Sequence, residues 1–245
     1  MARYKNIADI INQVAVEVGI PSVIDPFSSS DAAMRQLTVL SNSCAYELLE
    51  DIAWEGLVRE HAIVTSDTDT GNYPLPDDFA YMINQTGWDR TNNVPIIGPL
   101  SAQEWQYLEG RDLVSHTIYA SFREVDGQYS IFPQPPPNGL DLHFEYVSRN
   151  WVLTGGVPDA YDDKVVGPAD IVLYEPTLFE RLLKLRFLEA RGFDTATAAQ
   201  RYDKALSNWT SHDKGAPILN GGRSRGGVPY LDSFYNTPDT NFGGV

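Results

Sequence analysis

Apolar residues recur at helical spacing at both ends of the chain and at strand spacing in its middle. Near the start, Ile7, Ile10, Ile11, Val14 and Val18 fall three and four residues apart within YKNIADIINQVAVEVGI, the spacing of a helix with one buried face. Gly19 and Pro21 stop it. A second stripe follows three serines and Asp31: Met34, Leu37, Leu40, Cys44, Leu48 and Ile52. Ser and Asp suit the position before a helix because their oxygens accept from its first free N–H groups. This stripe predicts a helix of more than about six turns. Toward the other end, EPTLFERLLKLRFLEARG has Pro176 at the first helical position and Gly192 past the end, the usual asymmetry of a helix. Its apolar face (Leu178, Phe179, Leu182, Leu183, Leu185, Leu188) is wide enough for more than one neighbour. FDTATAAQRYDKALSNW predicts a last helix, capped by Asp194 and burying Ala198, Tyr202, Leu206 and Trp209.

The pattern changes after Trp54. LVREHAIVT reads as a strand and SDTDTGN as the turn after it. NYPLPDDF holds two prolines and is expected to be extended. TGWDRTNNVPI is a polar turn with strand-like ends. In PLSAQEWQYLEG, Ser101 and Glu104 stand at capping-box spacing ahead of a short helix. TIYASFREV and QYSIF flank Asp126-Gly127, a pair suited to a two-residue type I′ hairpin turn. Leu140, Leu142, Phe144 and Tyr146 then alternate with Asp141, His143 and Glu145, as in a half-buried antiparallel strand.

The order is two helices, a β-rich middle, two helices and a tail. Neither helix pair can cover its apolar face alone. The expected fold is therefore α+β: a four-helix cluster of two N-terminal and two C-terminal helices, an inserted antiparallel β lobe and an extended C-terminal tail. The expected divisions are 1–55 plus 160–214 for the helical domain, 56–159 for the lobe and 215–245 for the tail.

The tail carries seven large apolar residues, Ile218, Leu219, Val228, Tyr230, Leu231, Phe234 and Tyr235, among many Gly and Pro. Ordering about ten residues costs roughly 10–20 kcal/mol of backbone entropy. Burying seven such groups returns about 1.5–3 kcal/mol each. The balance is near zero, so the free tail is expected to be mobile and to order on a preformed groove or strand edge.

Charge narrows the partners. Among 245 residues, 33 are acidic and 18 basic, for a net charge of −15. Such a chain is ill suited to gripping nucleic acid, whose phosphates need Lys and Arg. One cysteine, Cys44, excludes an intrachain disulfide and fits a small buried core residue. No apolar run approaches the roughly 18 residues of a membrane span.

Catalytic and metal motifs lack their partners. The four histidines (His61, His116, His143, His212) do not pair at a zinc-ligand spacing. Asp67 and Asp69 in SDTDTG begin like a calcium loop, but the later bidentate Glu is missing. Gly222-Arg223-Ser224-Arg225-Gly226 matches a nucleophile elbow, yet it lies in a stretch rich in structure breakers and no histidine follows it. Acidic pairs such as Asp77-Asp78 and Asp162-Asp163 are expected by chance in so acidic a chain. No enzyme activity and no cofactor are expected.

The sequence LPDDFAYMINQTGWDRTNNVPIIGPLSAQEWQYLEG, followed by FEYVSRNWV, resembles head-to-tail adaptor (connector) proteins of tailed phages, especially short-tailed, podovirus-like ones. The resemblance is sharpest at Leu75 to Phe79, Thr86 to Arg90, Gly98 to Trp105 and Phe144 to Trp151. It implies a structural virion protein at the capsid–tail junction, assembled in the host cytoplasm. It also implies a homo-oligomeric ring of about twelve subunits, bound to the portal protein above and a tail or nozzle protein below. Genomic DNA would pass through without specific binding, and no membrane is involved. Duplex DNA carries one negative charge per about 1.7 Å of axis, so an acidic lumen is expected to let it slide. The portal or a neighbouring subunit is expected to contact Ile218, Leu219, Arg223, Arg225, Tyr230, Leu231, Phe234 and Tyr235 in the tail. Trp88 and Trp105, read as exposed aromatics, are the expected contacts to a tail protein or another subunit, with packing on the lobe's own small core an equal alternative for Trp105. The alternative reading is a soluble carbohydrate-binding or tail-accessory module that uses the β lobe and its aromatics.

Overall fold

The computed structural model describes residues 4–110, 120–154 and 160–213. Its helices are α1 (Ile7–Glu17), α2 (Ala32–Asp51), α3 (Ala102–Gly110), α4 (Pro176–Arg191) and α5 (Ala196–Asp213). Its strands are β1 (Val58–Val64), β2 (Asn72–Pro74), β3 (Phe79–Met82), β4 (Trp88–Asp89), β5 (Val94–Pro95), β6 (Ser121–Val125), β7 (Gln128–Phe132), β8 (Asp141–Ser148), β9 (Val152–Leu153), β10 (Tyr161–Asp162) and β11 (Ile171–Val172). The fold is mixed helix and antiparallel sheet.

The wide apolar face of α4 has the several neighbours it calls for. It packs against α1, α2 and α5, and Leu178, Phe179, Leu182 and Leu183 are fully buried there. Arg186 of α4 also forks onto the Glu47 carboxylate of α2, geometry that suits a planar guanidinium. Asp31 caps α2 by accepting from the Ala33 and Met34 N–H groups. This helix is shorter than its stripe predicts. Ile52 turns extended, at φ −150°, and the Trp54 indole donates to the Leu48 carbonyl at 2.7 Å. That bond satisfies one of the carbonyls a helix end leaves free. On α5, Tyr202 and Ala205 are buried, whereas Ala198, Leu206 and Trp209 are only half-buried against the core.

Aromatic rings fill the centre of this first core. Tyr174 lies 6.1 Å from Trp54, 6.0 Å from Trp151 and 6.1 Å from Phe179, centroid to centroid. Their buried polar atoms are bonded: Tyr174 Oη donates to the Ala45 carbonyl and Trp151 Nε1 to the Asp163 carbonyl. Trp54 and Trp151 flank the β-rich middle in sequence, so both its ends are fixed in the helical core.

A second core serves the β lobe. β8 is its spine: β1 pairs along one edge, and β3 and β4 share the other. The alternation read in sequence holds, with Leu142, Phe144 and Tyr146 buried. Against them sits the β6–β7 hairpin, joined by β2 on the far side of β7. Tyr129 stacks between Phe122, at 5.0 Å, and Phe144, at 4.4 Å. The hairpin turn has positive φ at Asp126 (54°) and Gly127 (68°), as a type I′ turn requires. The expected hairpin residues 117–119 lie outside the described residues.

A small third sheet, β10-β9-β11, is not visible in the sequence pattern. Its two-residue strands are too short to show a period. It pairs residues 152–153 with 161–162 and 171–172, on both sides of the boundary drawn at 159 and 160.

Candidate functional site

The stretches singled out in the sequence meet around β8. Asp78, ahead of β3, accepts from Tyr146 Oη at 2.8 Å and Ser148 Oγ at 2.6 Å. These bonds tie the leucine-proline-acidic stretch to the Phe-Glu-Tyr strand. Thr86 Oγ1 accepts from the Glu145 N–H at 3.1 Å and contacts the Ile83 carbonyl at 2.6 Å. Asp89 is buried and accepts from the Thr91 and Asn92 N–H groups and the Asn92 side chain, which fixes the polar turn from within. A Cβ at Gly98 would lie 2.6 Å from the Phe122 carbonyl oxygen, so the backbone before α3 can approach β6 only without one. Ser101 and Glu104 make the expected capping box: Glu104 Oε2 accepts from the Ser101 N–H at 2.8 Å, and Ser101 Oγ from the Glu104 N–H at 3.3 Å.

The two tryptophans have different environments. Trp88 is 44% exposed. It borders a shallow hollow of about 260 Å³ with Glu60, Thr86, Arg90, His143 and Glu145. His143 spans two carboxylates there, Nδ1 lying 2.6 Å from Glu60 and Nε2 2.9 Å from Asp141. Arg90 pairs with the same Glu60. Trp105 is buried, which is the alternative of packing on the lobe's own core. Its indole donates to Glu109 Oε1 at 2.7 Å, its ring meets Phe132 edge-on, and Arg123 lies over its face. Leu108 stands three residues on at helical spacing, but a pattern of two residues does not reveal which way the indole points.

Two larger concavities lie elsewhere among the described residues. An apolar groove of about 500 Å³ runs between Ile97, Leu100, Tyr107 and Leu108. A charged cleft of about 690 Å³ separates α4 from α5. The sequence reading missed both: the cleft joins residues from separate helices, and the groove forms between α3 and the segment before it.

Among the described residues, no three His, Cys, Asp or Glu side chains gather as a metal site, and no helix is long and apolar enough to cross a membrane. Asp69 accepts from the Ser66 N–H and from Tyr73 Oη. Burial, reinforced by that bond, pushes the Tyr73 hydroxyl up to about 12. Burial likewise pushes the Cys44 thiol up to about 12, with Glu47 adding to it. His61 is held below the ordinary histidine value by burial, which Asp78 opposes.

Residues 5–219 match the family described as SU10 adaptor protein. The chain belongs to this family of phage head-to-tail adaptors. No curated protein matches it. The motif residues that cross-link β8 all fall inside the matched span, so in this adaptor they have a structural task that the fold itself explains. The family is structural, and it makes the chain a virion component of the head–tail junction. Of the tail residues singled out, Ile218 and Leu219 fall inside the matched span. Arg223, Arg225, Tyr230, Leu231, Phe234 and Tyr235 fall beyond it. All eight, together with the serine motif at 222–226, lie outside the described residues.

Proposed function

We propose that this adaptor assembles as a ring of about twelve copies between the portal and the next tail protein, and that it extends the channel through which DNA passes. The family match across residues 5–219 is the observation that carries this reading. In it, α1, α2, α4 and α5 form a four-helix cluster from 1–55 plus 160–214 that builds the ring. The lobe at 56–159 is an insertion, a reading supported by the two separate cores and by the anchoring of Trp54 and Trp151. The lobe offers Trp88 to a tail protein or another subunit. The extended segment 215–245 orders on the portal or an adjacent subunit, with ring symmetry multiplying its contacts.

The lumen is net acidic in this reading, in keeping with the charge of −15. An acidic wall repels duplex DNA and leaves few phosphate contacts to break as it slides. Electron microscopy of the protein mixed with the candidate portal tests the assembly: rings seated on the portal are expected. Glycan binding with no portal association would overturn it in favour of a carbohydrate-binding module. Deletion of residues 216–245 is expected to remove portal attachment. Unimpaired attachment of the truncated chain would refute the role given to the tail.

A further inference from the structure

The cleft between α4 and α5 gathers four cations and three carboxylates on an acidic protein. Helical spacing builds it. On α4, Arg181 and Lys184 share a stripe. On α5, Arg201 and Lys204 repeat that arrangement, since residues three and four apart lie on one face. All four line the cleft, out of 18 cations in the whole chain. Lys184 is neutralised within the chain, 2.8 Å from Glu17. The Arg181 guanidinium donates to the Arg201 main-chain carbonyl at 3.2 Å, which brings two arginines together. Arg181, Arg201 and Lys204 have no carboxylate at ion-pair distance among the described residues. Cations without an ion-pair partner that line one cleft repel one another, so the arrangement favours an anion arriving from outside.

We infer that this cleft is a subunit interface, and that it takes carboxylates from a second copy of this chain. Charge complementarity selects the occupant. A chain with 33 acidic and 18 basic residues repels its own copies wherever acidic faces meet, and a cationic cleft supplies the opposite face. Glu17 and Glu180 also line the cleft but are paired within the chain, to Lys184 and Lys5, which leaves Arg181, Arg201 and Lys204 facing Asp194 alone. The inference rests on the ring reading and assigns its contact to particular residues.

Zero-length carbodiimide cross-linking tests it on the full chain. An equal mixture of unlabelled and ¹⁵N-labelled protein is cross-linked with and without the portal and read by mass spectrometry. The Lys184–Glu17 pair provides a within-chain control. Cross-links from Lys204 to Asp or Glu carrying mixed labels are expected. The single variant R201E, which keeps the Lys204 amine, is expected to lower their yield, and R201E/K204E to weaken association between copies by on the order of tenfold. Copies seen side by side on the portal without mixed-label links at Lys204 would overturn the inference and leave the adaptor reading standing. Mixed-label links with no portal association would do the reverse. Retention of a duplex oligonucleotide that R201E/K204E releases, in the absence of links between copies, would assign the cleft to phosphate and overturn the inference.

Discussion

His61 and Cys44 show how burial sets chemistry at single positions. The His61 ring lies 5.2 Å from Phe144, edge to face. Burial there favours neutral imidazole, so the folded value lies below the ordinary one, Asp78 only partly opposing it. The unfolded chain therefore takes up the proton first as pH falls. The contribution to stability is complete above the ordinary histidine value of about 6.5 and is lost as pH drops through the lowered folded value. Denaturation midpoints measured from pH 8 to 5 should fall more steeply for the wild type than for His61→Phe, which keeps the ring and removes the proton. Parallel profiles would contradict this. Cys44 is fully buried with its thiol pushed up to about 12. Iodoacetamide at pH 8 is expected to label it only when the chain unfolds, because the thiolate is the reactive form. Labelling of the folded protein at the rate of a free thiol would show the helical core to be open.

At the scale of elements, Gly98 marks the tightest approach. Its missing side chain lets the segment before α3 lie on the Phe122 carbonyl and ring. Gly98→Ala is expected to cost about 1–3 kcal/mol, the usual penalty for forcing extra volume into packed structure, read as a lower denaturant midpoint. Gly98 also illustrates what the sequence could and could not convey. The helix stripes, the alternation of β8, the capping box and the Asp126-Gly127 turn were legible because each repeats a period or a cap within a few residues. The early end of α2 was not, since it depends on Trp54 reaching back to the Leu48 carbonyl. Neither was the burial of Trp105, which depends on Phe132 and Arg123. The bonds from Asp78 to Tyr146 and Ser148 join residues about seventy positions apart, beyond any local pattern. Of the candidate surfaces, only exposed Trp88 stood out in sequence, by its polar surroundings. The α4–α5 cleft needed two helices packed together before its four cations became neighbours.

At the scale of the molecule, the decisive feature is how the two cores are coupled. The chain leaves the helical core near Trp54 and returns to it at Trp151, and both rings pack on Tyr174. Val147, from the strand that also supplies Leu142, Phe144 and Tyr146 to the lobe's core, is buried in the helical one. Strain at this junction should therefore reach both lobes. Trp151 is fully buried, and Trp151→Ala is expected to cost roughly 3–5 kcal/mol. Near-ultraviolet circular dichroism and hydrogen exchange would show protection falling in β8 as well as in α4. Loss confined to α4 would mean that the lobes unfold independently. Removing residues 216–245 should behave in the opposite way, because the two described cores draw their buried residues from positions up to Ala205. The truncated chain is expected to keep the wild-type denaturant midpoint while failing to attach to the portal. A lowered midpoint would instead make the segment part of the folded subunit. The balance between its ordering cost and its apolar gain would then be met within one chain rather than in the assembly.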